Sequence, residues 1–189
     1  MSEAKSVTAG KYFGLTSDHI LAQVFWITTF ALATAVAAQI EIPLKPVPFT
    51  LQTLFVLLSG AFLGRRNGFM SMSLYLILGL AGLPVFSGFG FGLAKLAGPT
   101  GGYLLAFPIA SYVVGALLSH WKSRIAVVSS MTAGLLLIFV LGIAHLNLVY
   151  LHDWNAAMRS GFMIFSPWDL VKLLAASSVY SQYLEYSKQ

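Results

Sequence analysis

An acidic and a basic residue, Asp169 and Lys172, lie three positions apart in the last hydrophobic segment of the chain. In a helix this spacing places both side chains on one face. Lys172 would then lie roughly 8 Å inside a helix that begins near Pro167. Placing an ionisable group at membrane depth costs at least ~2.5–3.5 kcal/mol, so such a group predicts a functional site.

Helix capping is an alternative explanation for Asp169. Ser166 is a good N-cap residue, Pro167 suits the first helical position, and Asp169 falls at the third, where an acid completes a capping box. Capping does not explain Lys172, because a cation near a helix N-terminus opposes the helix macrodipole. Either Asp169 is the partner of Lys172, or a polar cavity stabilises the ammonium.

The composition predicts an integral membrane protein. Of the 189 residues, 58% are hydrophobic and 9% are charged, and the mean hydropathy is +0.80. A soluble protein of this length would need far more polar surface. The absence of cysteine excludes thiol catalysis, disulfides and thiolate metal sites. The longest basic cluster is Arg65 and Arg66, so the net charge of +5 does not indicate nucleic-acid binding.

Six hydrophobic segments predict an all-α bundle of six transmembrane helices, in a single domain of residues 1–189. Residues 1–17 are predicted to be a cytoplasmic tail, and residues 147–165 an interfacial amphipathic stretch. Residues 35–37 resemble a signal-peptide cleavage site, but the apolar run is long and five spans follow, so we expect no cleavage. The predicted helices cover about residues 19–39, 50–63, 69–83, 103–119, 125–146 and 167–183.

Two connections have unusual compositions. Residues 41–49 are apolar and contain three prolines, which cannot continue a helix. The helix predicted after them is only about 21 Å long against a ~30 Å hydrocarbon core, so we expect this loop to re-enter the membrane. Such backbone is tolerated there only where it is buried in protein or lines a cavity. Residues 87–103 are rich in glycine, which lets backbone approach a ligand closely. No Gly-Lys-Ser/Thr sequence follows, so phosphate binding is excluded.

The distribution of cations predicts the orientation. With six spans, seven cations lie on the side of both termini and three on the other side, so the positive-inside rule places the termini in the cytoplasm. The proline loop, the glycine loop and the Asp169 end then lie on the outer face, where we expect a site that opens outward. The cations on the side of the termini are Lys5, Lys11, Arg65, Arg66, Lys122, Arg124 and Lys188, and those on the other side are Lys45, Lys95 and Arg159.

The first predicted helix carries small residues that could contact another helix. Ala31, Ala33, Ala35 and Ala37 form overlapping pairs four positions apart. Small residues at this spacing let helices approach closely in lipid. The spacing alone leaves two interpretations open, which are packing within this chain and a docking face for a partner subunit.

Three motifs together resemble the BioY family, the biotin-specific substrate-binding (S) components of energy-coupling factor (ECF) transporters. The resemblance covers the chain from about the first helix to the C-terminus, and the order of the motifs and the six-span plan agree with it. The motifs are Pro-Val-Pro-Phe-Thr-Leu-Gln-Thr-Leu at 46–54, Gly-Pro-Thr-Gly-Gly-Tyr at 98–103 and Pro-Trp-Asp-Leu-Val-Lys at 167–172.

The resemblance implies high-affinity capture of biotin outside a bacterial cytoplasmic membrane. Import would then require a transmembrane coupling (T) protein and two cytoplasmic ATPase subunits. It also implies that the alanine-rich face of the first helix docks the T protein. The loop between the first two helices would cap the vitamin, and Asp169 and Lys172 would contact its ureido head group. The other residues that the motifs make candidates for biotin binding are Phe49, Thr50, Gln52, Gly101 and Tyr103.

This chain departs from some relatives at the residues expected near the biotin carboxylate. Gly90 stands where some of them carry asparagine, and Leu104 where some carry arginine. Lys95 is the substitute that we predict for this contact, because it is a cation in the same glycine-rich loop.

Other functions fit the sequence less well. A stand-alone proton-linked transporter could use Asp169 as its proton site, but a neighbouring ammonium favours the ionised carboxylate. For a membrane enzyme, the chain lacks paired carboxylates and a nucleophile–base pair. Its four histidines are scattered, so we expect no metal site. A structural subunit would leave Lys172 unexplained. We therefore expect solute capture without catalysis and without a cofactor.

Overall fold

The computed structural model describes residues 19–164 and 167–187, and these residues are mostly helical. The predicted tail at 1–17 lies outside the described residues, as do Ser166 and Lys188. The helices are α1 (Ile20–Gln39), α2 (Gln52–Leu80), α3 (Leu93–Ala97), α4 (Gly101–His120), α5 (Arg124–His145), α6 (Trp154–Ile164) and α7 (Pro167–Tyr186), with a 3₁₀ turn at Ser87–Phe89 and a π-helix at Leu146–Leu151. Two short strands, β1 (Glu41–Ile42) and β2 (Phe49–Thr50), lie between α1 and α2.

Helix α2 is a hairpin of two arms that meet at Gly64. This residue has φ 76° and ψ 178° inside an otherwise helical segment. Gln52 Nε2 donates to the Tyr75 hydroxyl at 2.6 Å, whereas a straight helix would separate these residues by about 35 Å. The chain therefore reverses at Gly64. The gap left between the helices predicted at 50–63 and 69–83 is too wide, because residues 65–68 already belong to the second arm.

Three of the described helical segments are long and apolar enough to cross a membrane. They are Ile20–Gln39, Gly101–His120 and Arg124–Leu151, the last of which joins α5 to the π-helix. The apolar window of α1 is 22% buried within the protein, against 67% for that of α4. Helix α4 is therefore central, whereas α1 is peripheral and presents apolar side chains to its surroundings, as a lipid environment requires.

The helices approach one another closely where glycines face the centre. Helix α4 lies between α2 and α5, and α7 packs against α5 and α2. A Cβ at Gly60 of α2 would lie 2.3 Å from the Ser111 carbonyl oxygen of α4, and one at Gly134 of α5 would lie 2.5 Å from Val114. Small residues at such contacts gain van der Waals packing between helices. This core holds the ends of α2, α4 and α7 together at the site described below.

The proline loop forms a short hairpin. Strands β1 and β2 pair antiparallel, with Glu41 opposite Thr50 and Ile42 opposite Phe49. Val47 and Phe49 are buried, with exposures of 5% and 8%. The loop therefore packs its apolar side chains against the helices and forms part of a cavity wall.

The small residues of α1 do not share one face. Residues two positions apart are rotated by about 200° around the helix axis, so they lie on nearly opposite sides. Ala31 and Ala37 are buried in the packing of this chain, whereas Ala33 and Ala35 are partly exposed. Packing within the chain therefore accounts for Ala31 and Ala37, which cannot form part of a docking face in this structure. Docking through the face of Ala33 or through that of Ala35 stays a prediction, since these two residues lie on different faces.

Candidate binding site

A small cavity lies where β2 and the beginnings of α2, α4 and α7 meet. Its volume is about 50 Å³, room for a few water molecules. Most of its wall is apolar, and the polar groups come from four different segments of the chain. The lining residues are Val47, Pro48, Phe49, Thr50, Gln52, Thr53, Ser87, Thr100, Tyr103, Leu104, Phe107, Ile138, Phe139, Asp169 and Lys172.

The Lys172 ammonium is surrounded by acceptors. Its Nζ lies 2.6 Å from Asp169 Oδ1, and it donates to the Thr50 carbonyl at 3.0 Å and to Thr53 Oγ1 at 2.8 Å. The same atom lies 4.0 Å from the centre of the Phe49 ring, a cation–π contact. Since an ammonium has three donors, these three acceptors can satisfy all of them.

Asp169 and Lys172 form an ion pair inside the protein. Their side chains are 1% and 8% exposed. Both also line the cavity. Lys172 therefore has both of the environments considered for it, a carboxylate partner and a cavity with polar groups. A buried pair of this kind gives little net stability, because desolvation offsets most of the Coulombic attraction. Stability alone therefore does not explain the ion pair, which points to a role in ligand binding.

A chain of hydrogen bonds links Thr50 to Val85, just before the glycine-rich loop. The Thr50 hydroxyl donates to Gln52 Oε1 at 2.8 Å, and Gln52 Nε2 donates to the Tyr75 hydroxyl at 2.6 Å. The Tyr75 hydroxyl in turn donates to the Val85 carbonyl at 3.1 Å. These contacts fix the orientation of the Gln52 amide in the cavity wall.

The Tyr103 side chain lines the cavity and carries a buried hydroxyl. The Tyr103 ring packs over Gly142, where a Cβ would lie 2.4 Å from it, and it meets Phe139 edge-on at 6.3 Å between ring centres. The hydroxyl is buried, and within residues 19–164 and 167–187 it has no hydrogen-bond partner. A buried hydroxyl without a partner is costly, so an acceptor on a ligand or a water molecule would stabilise it.

Two predicted site residues lie outside the lining. A Cβ at Gly101 would lie 1.7 Å from the Leu96 carbonyl oxygen, so Gly101 allows α4 to begin directly against α3. Lys95 lies behind the wall, where its Nζ donates to the carbonyl of the lining residue Ser87 at 3.0 Å. The cavity brings together the remaining predicted residues, Phe49, Thr50, Gln52, Tyr103, Asp169 and Lys172.

Five polar or aromatic lining residues were not among the predicted ones, and they are Thr53, Ser87, Thr100, Phe107 and Phe139. Thr53 follows Thr50 by three positions, so helical spacing alone could have indicated it. Thr100 lies inside the motif at 98–103. Ser87, Phe107 and Phe139 carry no comparable signal, because a loop residue and two of many aromatic residues in apolar helices reach the cavity through tertiary packing alone.

The fold and the cavity define a class of protein, a helical membrane protein with a buried ion pair in the wall of a small cavity. The chain belongs to the BioY family, whose model matches residues 6–189. Relatives include the biotin transporter BioY of Thermotoga maritima, 43% identical over 79% of this chain and 88% of that protein. A probable biotin transporter BioY of Pyrococcus horikoshii is 40% identical over 82% of this chain and 91% of that protein.

A solved structure has the same fold. It is the S-component for biotin from an ECF-type ABC transporter, with a TM-score of 0.81 and 22% sequence identity, covering 90% of this chain and 94% of that one. The named relatives are transporters, so family membership classes this chain with transport proteins and not with enzymes.

Proposed function

We propose that this chain is the biotin-binding S component of an ATP-driven ECF importer, which captures biotin at the outer face of a bacterial cytoplasmic membrane. The observation that carries the proposal is the buried Asp169–Lys172 pair in the wall of the cavity. Further support comes from the relatives, which are named biotin transporters. The chain itself would bind without catalysis and without a metal or cofactor.

The polar atoms of the cavity suit the ureido head group of biotin. The Asp169 carboxylate would accept from the ureido N–H groups, and the Lys172 ammonium would donate to the ureido carbonyl. Because Thr50, Thr53 and Asp169 already satisfy Lys172, biotin would have to replace one of the threonine contacts. The present volume of about 50 Å³ is too small for biotin, so the wall would also have to move outward.

The remaining predicted contacts follow from positions around the cavity. Phe49, Thr50, Gln52 and Tyr103 would line the bound vitamin. Lys95 would reach the carboxylate at the side of the wall formed by Ser87. Gly101 would act through the packing of α4 and not by contact.

The membrane arrangement that we propose has six spans with both termini in the cytoplasm. The spans would be α1, the two arms of α2, α4, α5 and α7. The positions of charged residues support it. Arg65 packs against Gly115 near the end of α4, where a Cβ at Gly115 would lie 2.3 Å from the Arg65 amide nitrogen. Arg124 pairs with Glu185 near the end of α7. These groups lie far along their helices from the cavity, so basic turns and binding site occupy opposite ends.

Transport would require partners. A transmembrane T protein would dock against one face of α1, either that of Ala33 or that of Ala35, both of which are partly exposed. Two cytoplasmic ATPases would supply the energy. Reconstitution into proteoliposomes tests this, with biotin uptake expected only when the T protein, the ATPases and ATP are present. Uptake by the chain alone, driven by a proton gradient, would instead establish a proton-linked transporter.

Calorimetric titration of biotin into the purified protein tests the binding step. We expect tight binding by the wild type and a loss of about 1.5–3 kcal/mol in Asp169→Asn and in Lys172→Met, because each removes a charge-assisted contact. Glu185→Gln breaks an exposed ion pair at the other end and should bind as the wild type does. No binding by the folded wild type would overturn the proposal.

A further inference from the structure

Gln39, the last residue of α1, is bound to the glycine-rich loop through both ends of its side-chain amide. Its Nε2 donates to the Phe86 carbonyl at 3.1 Å and to the Ala35 carbonyl of its own helix at 3.2 Å. Its Oε1 accepts from the Phe89 backbone N–H at 3.0 Å. Gln39 is therefore a direct connection between a peripheral helix and this loop.

The loop segment that Gln39 holds is a tight turn of residues 86–90. Phe86 and Gly90 exchange backbone hydrogen bonds at 3.0 and 3.1 Å. Between them, Phe89 has φ 54°, a left-handed conformation that is uncommon for a residue other than glycine. The hydrogen bond from its N–H to Gln39 Oε1 offsets part of the cost of that conformation.

The same turn supplies part of the cavity wall. Ser87 is 5% exposed and lines the cavity. Its carbonyl accepts from Lys95 at 3.0 Å, and the Phe86 ring fills a space where Gly79 has no side chain. The turn is thus held by α3 and α2 on one side and by Gln39 of α1 on the other. A shift of α1 would act on Ser87 through Gln39.

We propose that Gln39 is a positioning residue of the binding site, which fixes the turn of residues 86–90 and thereby the place of Ser87 in the cavity wall. This inference rests on the biotin binding proposed above. Gln39 does not line the cavity, so its effect on affinity passes through the turn. It gives α1, which is largely exposed on the outside of the bundle, a mechanical connection to the site.

The test compares biotin affinity in Gln39→Leu, Gln39→Glu and the wild type. Gln39→Leu removes both contacts to the turn, and we expect about tenfold weaker binding, the effect of one to two hydrogen bonds. Thr29→Val is the matched control on α1, because the Thr29 hydroxyl bonds only the Phe25 carbonyl of its own helix among the contacts found. This control should bind as the wild type does.

Gln39→Glu separates positioning from general damage to the fold. An ionised carboxylate can accept from Phe89 N–H but cannot donate to the Phe86 carbonyl, whereas a protonated carboxyl can do both. Relative to the wild type, its affinity should therefore recover between about pH 7 and about pH 4, because a glutamate side chain takes up its proton near pH 4.3. The charged neighbours of the turn, Glu41 of β1 and Lys95 of α3, are the same in both proteins, so the ratio of affinities isolates position 39.

The affinities of the two Gln39 variants and of the wild type together test the positioning role of Gln39. Weaker binding by Gln39→Leu with pH-dependent recovery in Gln39→Glu supports the inference. Unchanged affinity in folded Gln39→Leu, or a Gln39→Glu affinity whose ratio to wild type is constant with pH, overturns it. A wild type that does not bind biotin at all overturns the proposed function instead, so the two failures are distinguishable.

Discussion

The Lys172 ammonium donates to the backbone carbonyl of Thr50 at 3.0 Å, across 122 positions of sequence. The contact joins the last helix to the strand that closes the proline loop. Another side chain at position 172 could make this bond and the one to Thr53 only if it carried a donor group at the same distance from the backbone. The cavity wall and the ion pair are therefore one hydrogen-bonded unit, and its stability can be measured separately from its ligand binding.

Breaking the ion pair from one side should cost more than removing it entirely. We expect Lys172→Met to lower the free energy of unfolding by about 3–5 kcal/mol, because Asp169 then stays buried without its cation. The double variant Asp169→Asn/Lys172→Met should lose less stability than Lys172→Met alone, and so less than the sum of the single changes. Thermal unfolding in detergent of the wild type and the three variants measures the coupling. Additive losses would mean that the two side chains do not act as a pair.

The ion pair at the opposite end should behave differently. Arg124 and Glu185 are in contact, but their side chains are 79% and 52% exposed. Solvent screens such pairs, which contribute about 0–1 kcal/mol. Glu185→Gln should therefore shift the unfolding midpoint only slightly, and less at high salt. A loss of stability as large as that of Lys172→Met would mean that exposure to solvent does not weaken the Arg124–Glu185 pair.

Gly79→Ala should disturb the cavity wall from behind. A Cβ at this position would lie 2.1 Å from Phe86 Cζ, and Phe86 is fully buried. The ring must move, and with it the turn that carries Ser87. We expect a loss of about 1–3 kcal/mol in stability, as for other overpacked cores, together with weaker biotin binding.

The control for Gly79 is the double variant Gly79→Ala/Phe86→Leu, since a smaller side chain at position 86 gives the added methyl group room. Stability should recover in part relative to Gly79→Ala. If the double variant is less stable than Gly79→Ala, the conflict between position 79 and the Phe86 ring is not the cause of the loss.

Gly64→Ala should destabilise the hairpin of α2 through the backbone alone. Gly64 has φ 76° and ψ 178°, a region occupied almost only by glycine. A Cβ there would meet no other atom within 4 Å, so any loss comes from conformation and not from a clash. We expect about 1–3 kcal/mol less stability by thermal unfolding. An unchanged midpoint would show that the turn at Gly64 tolerates an L-residue.

Much of the helical framework could be predicted from the sequence. Apolar runs and their polar or proline-rich breaks indicate helices without tertiary information, because a long apolar segment has few stable alternatives in a membrane. The pairing of Asp169 with Lys172 was also predictable, since it depends only on helical spacing. The extent of the turn at Gly64 was not, because residues 65–68 read equally well as a basic turn or as the first turn of a helix.

The sequence by itself determined the chemical character of the site, a carboxylate and an ammonium on one face of the last helix. Only the tertiary structure decided what surrounds them. Thr53, Ser87 and Phe139 reach the cavity, whereas Gly101 and Lys95 lie behind its wall. The physical reason is that spacing along a helix is set by local geometry, whereas a cavity wall depends on how closely separate helices approach. In this chain the distance between helices is set by glycines such as Gly60, Gly79 and Gly142, which have no side chain to hold the neighbouring element apart.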